Sequence, residues 1–160
     1  MTLPIDARFR IYVDTSVLGG CFDQEFETWS NALVRDFRAG RLIPVLSDVT
    51  AAEVQDAPES VRDLHQELLT LAEGVLPITE ETLSLVASYA ARKILPAKYE
   101  ADMRHIALAT IAEVDSLVSW NFRHVVRLDK IRLFNEVNVQ LGYKALSILS
   151  PREVTTYEGS

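Results

Sequence analysis

The chain has 160 residues, 48% of them hydrophobic and 24% charged, with a formal net charge of −7. That length suits one domain with a sizeable core, here expected over residues 1–160 with its body at about 10–154, and the composition excludes disordered and repetitive classes. The acidic balance argues against broad attraction to nucleic acid, which depends on neutralising phosphates; residues 92–132, however, hold eight basic side chains against five acidic ones and leave room for a local cationic face.

In chain order, Arg10–Asp14 (RIYVD) is a short β-branched and aromatic run that reads as a buried strand. After Gly19–Gly20, apolar residues at Phe26, Trp29, Leu33, Val34 and Phe37 follow helical spacing, with Gly40 where a C-cap belongs. LIPVLSD (42–48) predicts a second strand, and Ser47 or Asp48 caps a short helix that Pro58 breaks. Residues 60–73 form an amphipathic helix, 75–79 a short strand or connector, and EETLSLVASYAARKIL another helix with an acidic start. The polar break PAKYEA precedes the helix MRHIALATIAEV, then a strand over 115–121, one or two helices over 122–143, and a last strand over 145–151. This alternation is the signature of an α/β domain, three layers deep, with a mainly parallel central sheet. No internal repeat or dividing linker interrupts it.

Ligands of open α/β sheets bind beyond the carboxyl ends of the strands. Three strands deliver polar groups there: Asp14 after the first, Asp48 and Glu53 after the second, and Ser119 with Asn121 after a later one. Asp102 joins them if its helix begins near the same edge. Taken singly, Asp14 is explained as a helix cap, and Glu53 and Asp102 as solvated residues in first helical turns. Together they form a constellation of acids whose repulsion a hard divalent cation would relieve. Asp115 begins its strand, roughly 3.3 Å per residue away from the other end, and is excluded.

These residues also carry a resemblance. IYVDTSVL, LSDVTAAEV, YEADMRHIALATIAEVDSLVSWNFRHV and GYKALSILSPREV resemble a PIN domain, in particular the small VapC-like toxin ribonucleases. The resemblance implies a Mg²⁺- or Mn²⁺-dependent endoribonuclease that hydrolyses RNA phosphodiester bonds. It puts the metal-binding and catalytic acids at Asp14, Glu53 and Asp102, and supporting hydroxyls at Ser16 and Ser119. Where the family usually has a fourth acid this chain has Asn121, whose neutral amide favours one cation over two. A toxin would bring a small antitoxin partner and a homodimer.

Arg104, Arg123 and His124 lie near the same edge and suit contacts with a phosphate backbone. His105, three residues after Asp102, reads first as a hydrogen-bonded structural histidine, and Trp120 as core. Two other function classes stay open: a PIN-fold binding module without cleavage, which Asn121 motivates, and a phosphotransfer domain with Asp14 as acceptor. No apolar run reaches the roughly 18 residues needed to span a bilayer, MTLPIDARFR lacks a signal core, and the lone Cys21 has no internal disulfide partner. The expectation is a cytoplasmic protein without a membrane partner, and Cys21 is not expected to be a nucleophile.

Overall fold

A computed structural model describes residues 8–156. Five strands, β1 (Arg10–Val13), β2 (Ile43–Ser47), β3 (Val75–Leu76), β4 (Ser116–Val118) and β5 (Ile148–Leu149), form one parallel sheet in the order β3-β2-β1-β4-β5. Around it the described residues form α1 (Thr15–Gly20), α2 (Glu27–Arg38), α3 (Asp48–Glu53), α4 (Glu59–Leu71), α5 (Glu80–Ala91), α6 (Glu100–Ile111), α7 (Leu128–Gln140) and α8 (Pro151–Val154). The expected α/β class and three layers are the observed ones.

Strand periodicity divides the core. Ile11 and Val13 of β1, Leu46 of β2 and Val118 of β4 face a cluster that includes Leu33, Phe37, Leu64 and Leu68 of α2 and α4. Tyr12, Val45 and Leu117, one position away, face the opposite cluster with Leu85, Tyr89, Ile106 and Phe134 of α5, α6 and α7. Both faces are therefore sealed, as a parallel sheet requires. The aromatics Tyr12, Phe37, Tyr89 and Phe134 are among the largest fully buried side chains, each contributing roughly 1.5–3 kcal/mol.

The chain leaves β1 toward β2 on one side and later returns to place β4 on the other, so the order reverses between β1 and β4. That is a topological switch point, where adjacent connections diverge and open a crevice at the carboxyl ends. Val13 lies in register with Val118, and the Asp14 N–H donates to the Val118 carbonyl at 3.2 Å. Asp14 and the turn after β4 are thereby set side by side at the crevice.

Boundaries shift where local chemistry outweighs periodicity. The helix expected from MRHIALATIAEV starts earlier, at Glu100, after a single 3-10 turn over Ala97–Tyr99 that absorbs most of the expected polar break. Glu53 closes α3 rather than sitting in its first turn. The strand expected over 115–121 keeps three residues: the Asp115 carboxylate turns back to accept the Arg10 N–H at 2.7 Å, and Ser119–Asn121 leave the sheet and lead into a turn over residues 122–125. Gly20 packs against Trp120, since a Cβ there would lie 2.5 Å from Ser30 Oγ and 2.6 Å from Trp120 Nε1. Gly40, at φ 74°, takes the left-handed position that ends α2. Among the described residues no helix is long and apolar enough to cross a membrane.

Candidate active site

Asp14 caps α1 and is also the most enclosed acid at the switch point, 4% exposed. Its Oδ1 accepts the Ser16 N–H at 2.6 Å, and its Oδ2 accepts the Ser119 hydroxyl at 2.7 Å. Capping and site formation use different oxygens of one carboxylate, so neither role excludes the other. No ion pair reaches Asp14 among the described residues. Ser119 Oγ also accepts the Asn121 N–H at 2.9 Å, and Ser16 Oγ accepts the Trp120 N–H at 2.9 Å. The two serines thus tie the end of β1 to the turn after β4, and Ser119 is the one that orients a carboxylate directly.

Asp102, in the first turn of α6, meets this turn from the other side. Asn121 Nδ2 donates to its Oδ2 at 3.4 Å, and His124 Nδ1 lies 3.5 Å from the same oxygen. Burial and the negative charges of Asp14 and, to a smaller degree, Glu53 raise its pKa above the usual carboxylate value, outweighing the pull of His105 and His124. Asp14 is thus the acid that acts most strongly on Asp102, with too little positive charge nearby to offset it.

Asn121 does not offer its amide oxygen to these acids. Oδ1 accepts the backbone N–H groups of Arg123 at 3.2 Å and His124 at 3.0 Å, closing the turn, while the amide nitrogen faces Asp102. It acts here as a turn former and a neutral donor to Asp102.

Glu53 adds its charge to that felt by Asp102 but makes its own hydrogen bonds elsewhere. Its Oε1 accepts the Thr15 hydroxyl at 2.7 Å and lies 2.7 Å from His105 Nε2. His105 is buried, and its Nδ1 stands 2.6 Å from the Tyr12 hydroxyl, which stands 2.6 Å from Ser47 Oγ. Burial alone would raise the Glu53 pKa, but the hydrogen bond and charge of His105, with the Thr15 hydroxyl, lower it. Burial alone would lower that of His105, yet the Glu53 hydrogen bond and the charges of Asp14, Glu53 and Asp102 raise it. His105 is hydrogen-bonded, as expected, but its partner on the acidic edge is Glu53 and not the nearby Asp102. Spacing along α6 gave no sign of that cross-element bond, nor of Tyr12, whose hydroxyl was hidden in an otherwise apolar strand.

The cationic candidates divide. Arg104 pairs with Glu100 at 3.4 Å and lines a cleft of about 270 Å³ with Asp48, Glu53 and Ile78. Arg123 is exposed on the turn, and the His124 ring packs on Tyr99 with centroids 3.9 Å apart. Trp120 is core, as expected: it stacks on Phe26 at 4.3 Å and donates to Ser30 Oγ at 2.7 Å. Burial raises the Cys21 thiol to about 11, which makes it a poor nucleophile at neutral pH.

Among the described residues no three acidic, histidine or cysteine side chains stand close enough to make a complete metal-binding group. The donor pair Asp14 and Asp102 nevertheless suits Mg²⁺ or Mn²⁺, because such ions keep several waters and take one or two carboxylates. A cation there would offset the repulsion that raises Asp102. No family model and no curated protein matches the chain.

Proposed function

We propose that this protein is a Mg²⁺- or Mn²⁺-dependent ribonuclease of the PIN type that hydrolyses phosphodiester bonds in RNA. The observation that carries the reading is the Asp14–Asp102 pair: one buried and one half-buried acid, coupled by repulsion, at the switch point of a parallel sheet. The choice of RNA, the role as a toxin, a small antitoxin partner and a homodimer come from the resemblance of the motifs.

Asp14 and Asp102 would hold the cation, which when bound lowers the pKa of water and offsets charge on the phosphate. Ser119 keeps Asp14 in one orientation by its 2.7 Å hydrogen bond. Asn121 and His124 border Asp102 and leave it short of full neutralisation. Arg123, exposed beside this turn, supplies a cation for the RNA backbone.

The test is RNA cleavage with Mn²⁺ by the purified chain and by Asp14→Asn, with a chelator control. Cleavage by the wild type alone, abolished by the chelator, supports the reading. Absence of cleavage by both proteins, with RNA still bound, would favour a binding module instead.

A further inference from the structure

The hydrolytic reading leaves Glu53 without a stated task, and its surroundings constrain what that task is. One oxygen, Oε1, takes both the Thr15 hydroxyl and His105, while Oε2 is in no hydrogen bond among the described residues. Behind it the chain Ser47, Tyr12, His105 runs into the sheet, with spacings of 2.6 Å on each side of the Tyr12 hydroxyl. Tyr12 is 0% exposed and His105 2% exposed, so neither ring can turn without giving up buried hydrogen bonds. The three anchors come from different elements: β1, the start of α1 and α6. Glu53 is therefore clamped by one edge of its carboxylate, and the other edge is exposed to solvent or substrate.

Resting on that reading, we propose that Tyr12 and His105 are positioning residues that fix Glu53 as the acceptor of the proton from the attacking water, while Asp14 and Asp102 alone hold the cation. In this step the water oxygen forms a bond to phosphorus, its proton passes to Glu53 Oε2, the phosphorus–oxygen bond to the leaving group breaks, and the leaving oxygen takes a proton from solvent. Among the described residues Glu53 does not close up with Asp14 and Asp102 into a three-ligand group, and the double clamp on Oε1 fixes the free oxygen, Oε2, in one position. A histidine serving packing alone would affect stability and leave turnover unchanged.

The experiment uses full-length His105→Leu, His105→Gln and Tyr12→Phe. Three quantities are read: kcat and KM on RNA with Mn²⁺, Mn²⁺ affinity without RNA by electron paramagnetic resonance, and the downfield imidazole N–H proton signal of His105 with and without Mg²⁺. His105→Leu should lower kcat at least about tenfold, within the range general acid–base catalysis supplies, with KM and Mn²⁺ affinity within about twofold of wild type. His105→Gln, whose amide can still donate to Glu53, should recover part of the loss. The wild-type N–H signal should persist when Mg²⁺ is saturating. An unchanged kcat in His105→Leu overturns the proposal; so does a parallel fall in Mn²⁺ affinity, or loss of the N–H signal on adding Mg²⁺, since either makes Glu53 a ligand. If His105→Leu does not fold, Tyr12→Phe decides by the same criteria with a single hydroxyl removed. A wild type that cleaves nothing overturns the hydrolytic reading itself and this role with it, and is told apart because the N–H signal still reports the intact clamp.

Discussion

Two enclosed aspartates are treated in opposite ways. Asp36, 1% exposed near the end of α2, is surrounded by donors: Arg41 Nε at 2.8 Å, the Thr155 hydroxyl at 2.7 Å, the Thr156 N–H at 2.9 Å and the Thr156 hydroxyl. Burial would raise its pKa, but these hydrogen bonds lower it, so the ionised form belongs to the fold. Among the described residues the Asp14 carboxylate receives two hydrogen bonds and no ion pair, and its charge helps to raise the pKa of Asp102. One carboxylate holds the segment after α8 to α2; the other stands where a missing positive charge would stabilise it. On the proposed reading, the fold satisfies one buried acid with its own donors and leaves the other pair to be satisfied by a bound cation.

The contrast can be broken by substitution. Asp14→Asn and Asp102→Asn should each reduce Mn²⁺-dependent cleavage by about a thousandfold, several kcal/mol of lost charge stabilisation at about 1.4 kcal/mol per factor of ten; single-turnover kinetics on RNA would measure it. Asp36→Ala should instead cost about 2 kcal/mol of stability, because it removes the shared acceptor of the partly exposed Arg41, Thr155 and Thr156 donors, and leave cleavage per folded molecule unchanged. Denaturant unfolding with a parallel activity assay separates the two.

A smaller effect concerns pH. The folded-state pKa of Asp36 is lowered, so its contribution is fully present above the ordinary carboxylate value of about 4 and is lost as pH falls through the depressed folded value. Acid unfolding of wild type and Asp36→Asn should therefore converge at low pH and diverge above pH of about 4. The smallest effect is at Asp102, whose raised pKa means that its ionised form is disfavoured in the metal-free fold. Asp102→Asn should then be at least as stable as wild type without metal, and added Mn²⁺ should raise the melting temperature of wild type only.

Most of the architecture was legible because it depends on local patterns. The β-branched and aromatic run of β1, the apolar stripe of α2 and the caps at Ser47 and Gly40 are encoded within a few residues of where they act. The strand-end rule then brought Asp14, Ser119 and Asn121 to one edge, and the register of Val13 with Val118 realises it. Tertiary pairing was not legible. The His105–Glu53 bond links α6 to α3 across 52 positions, and the Asp36 clamp joins α2 to residues 155–156. An acid within the buried stripe of α2 was the available signal for Asp36, since Leu33, Val34 and Phe37 surround it in sequence. Asn121 was recognised as a departure from an acid, but its use of Oδ1 to close a turn depends on backbone geometry that residue identity does not reveal.

The central claim is that Asp14 and Asp102 form a cation site, and the most direct measurement is the stoichiometry of Mn²⁺ binding by calorimetry. Wild type and Asp36→Asn should each bind one Mn²⁺ per chain, and Asp14→Asn and Asp102→Asn should lose it. No binding by wild type, two tight sites, or undiminished binding after Asp14→Asn would contradict the account.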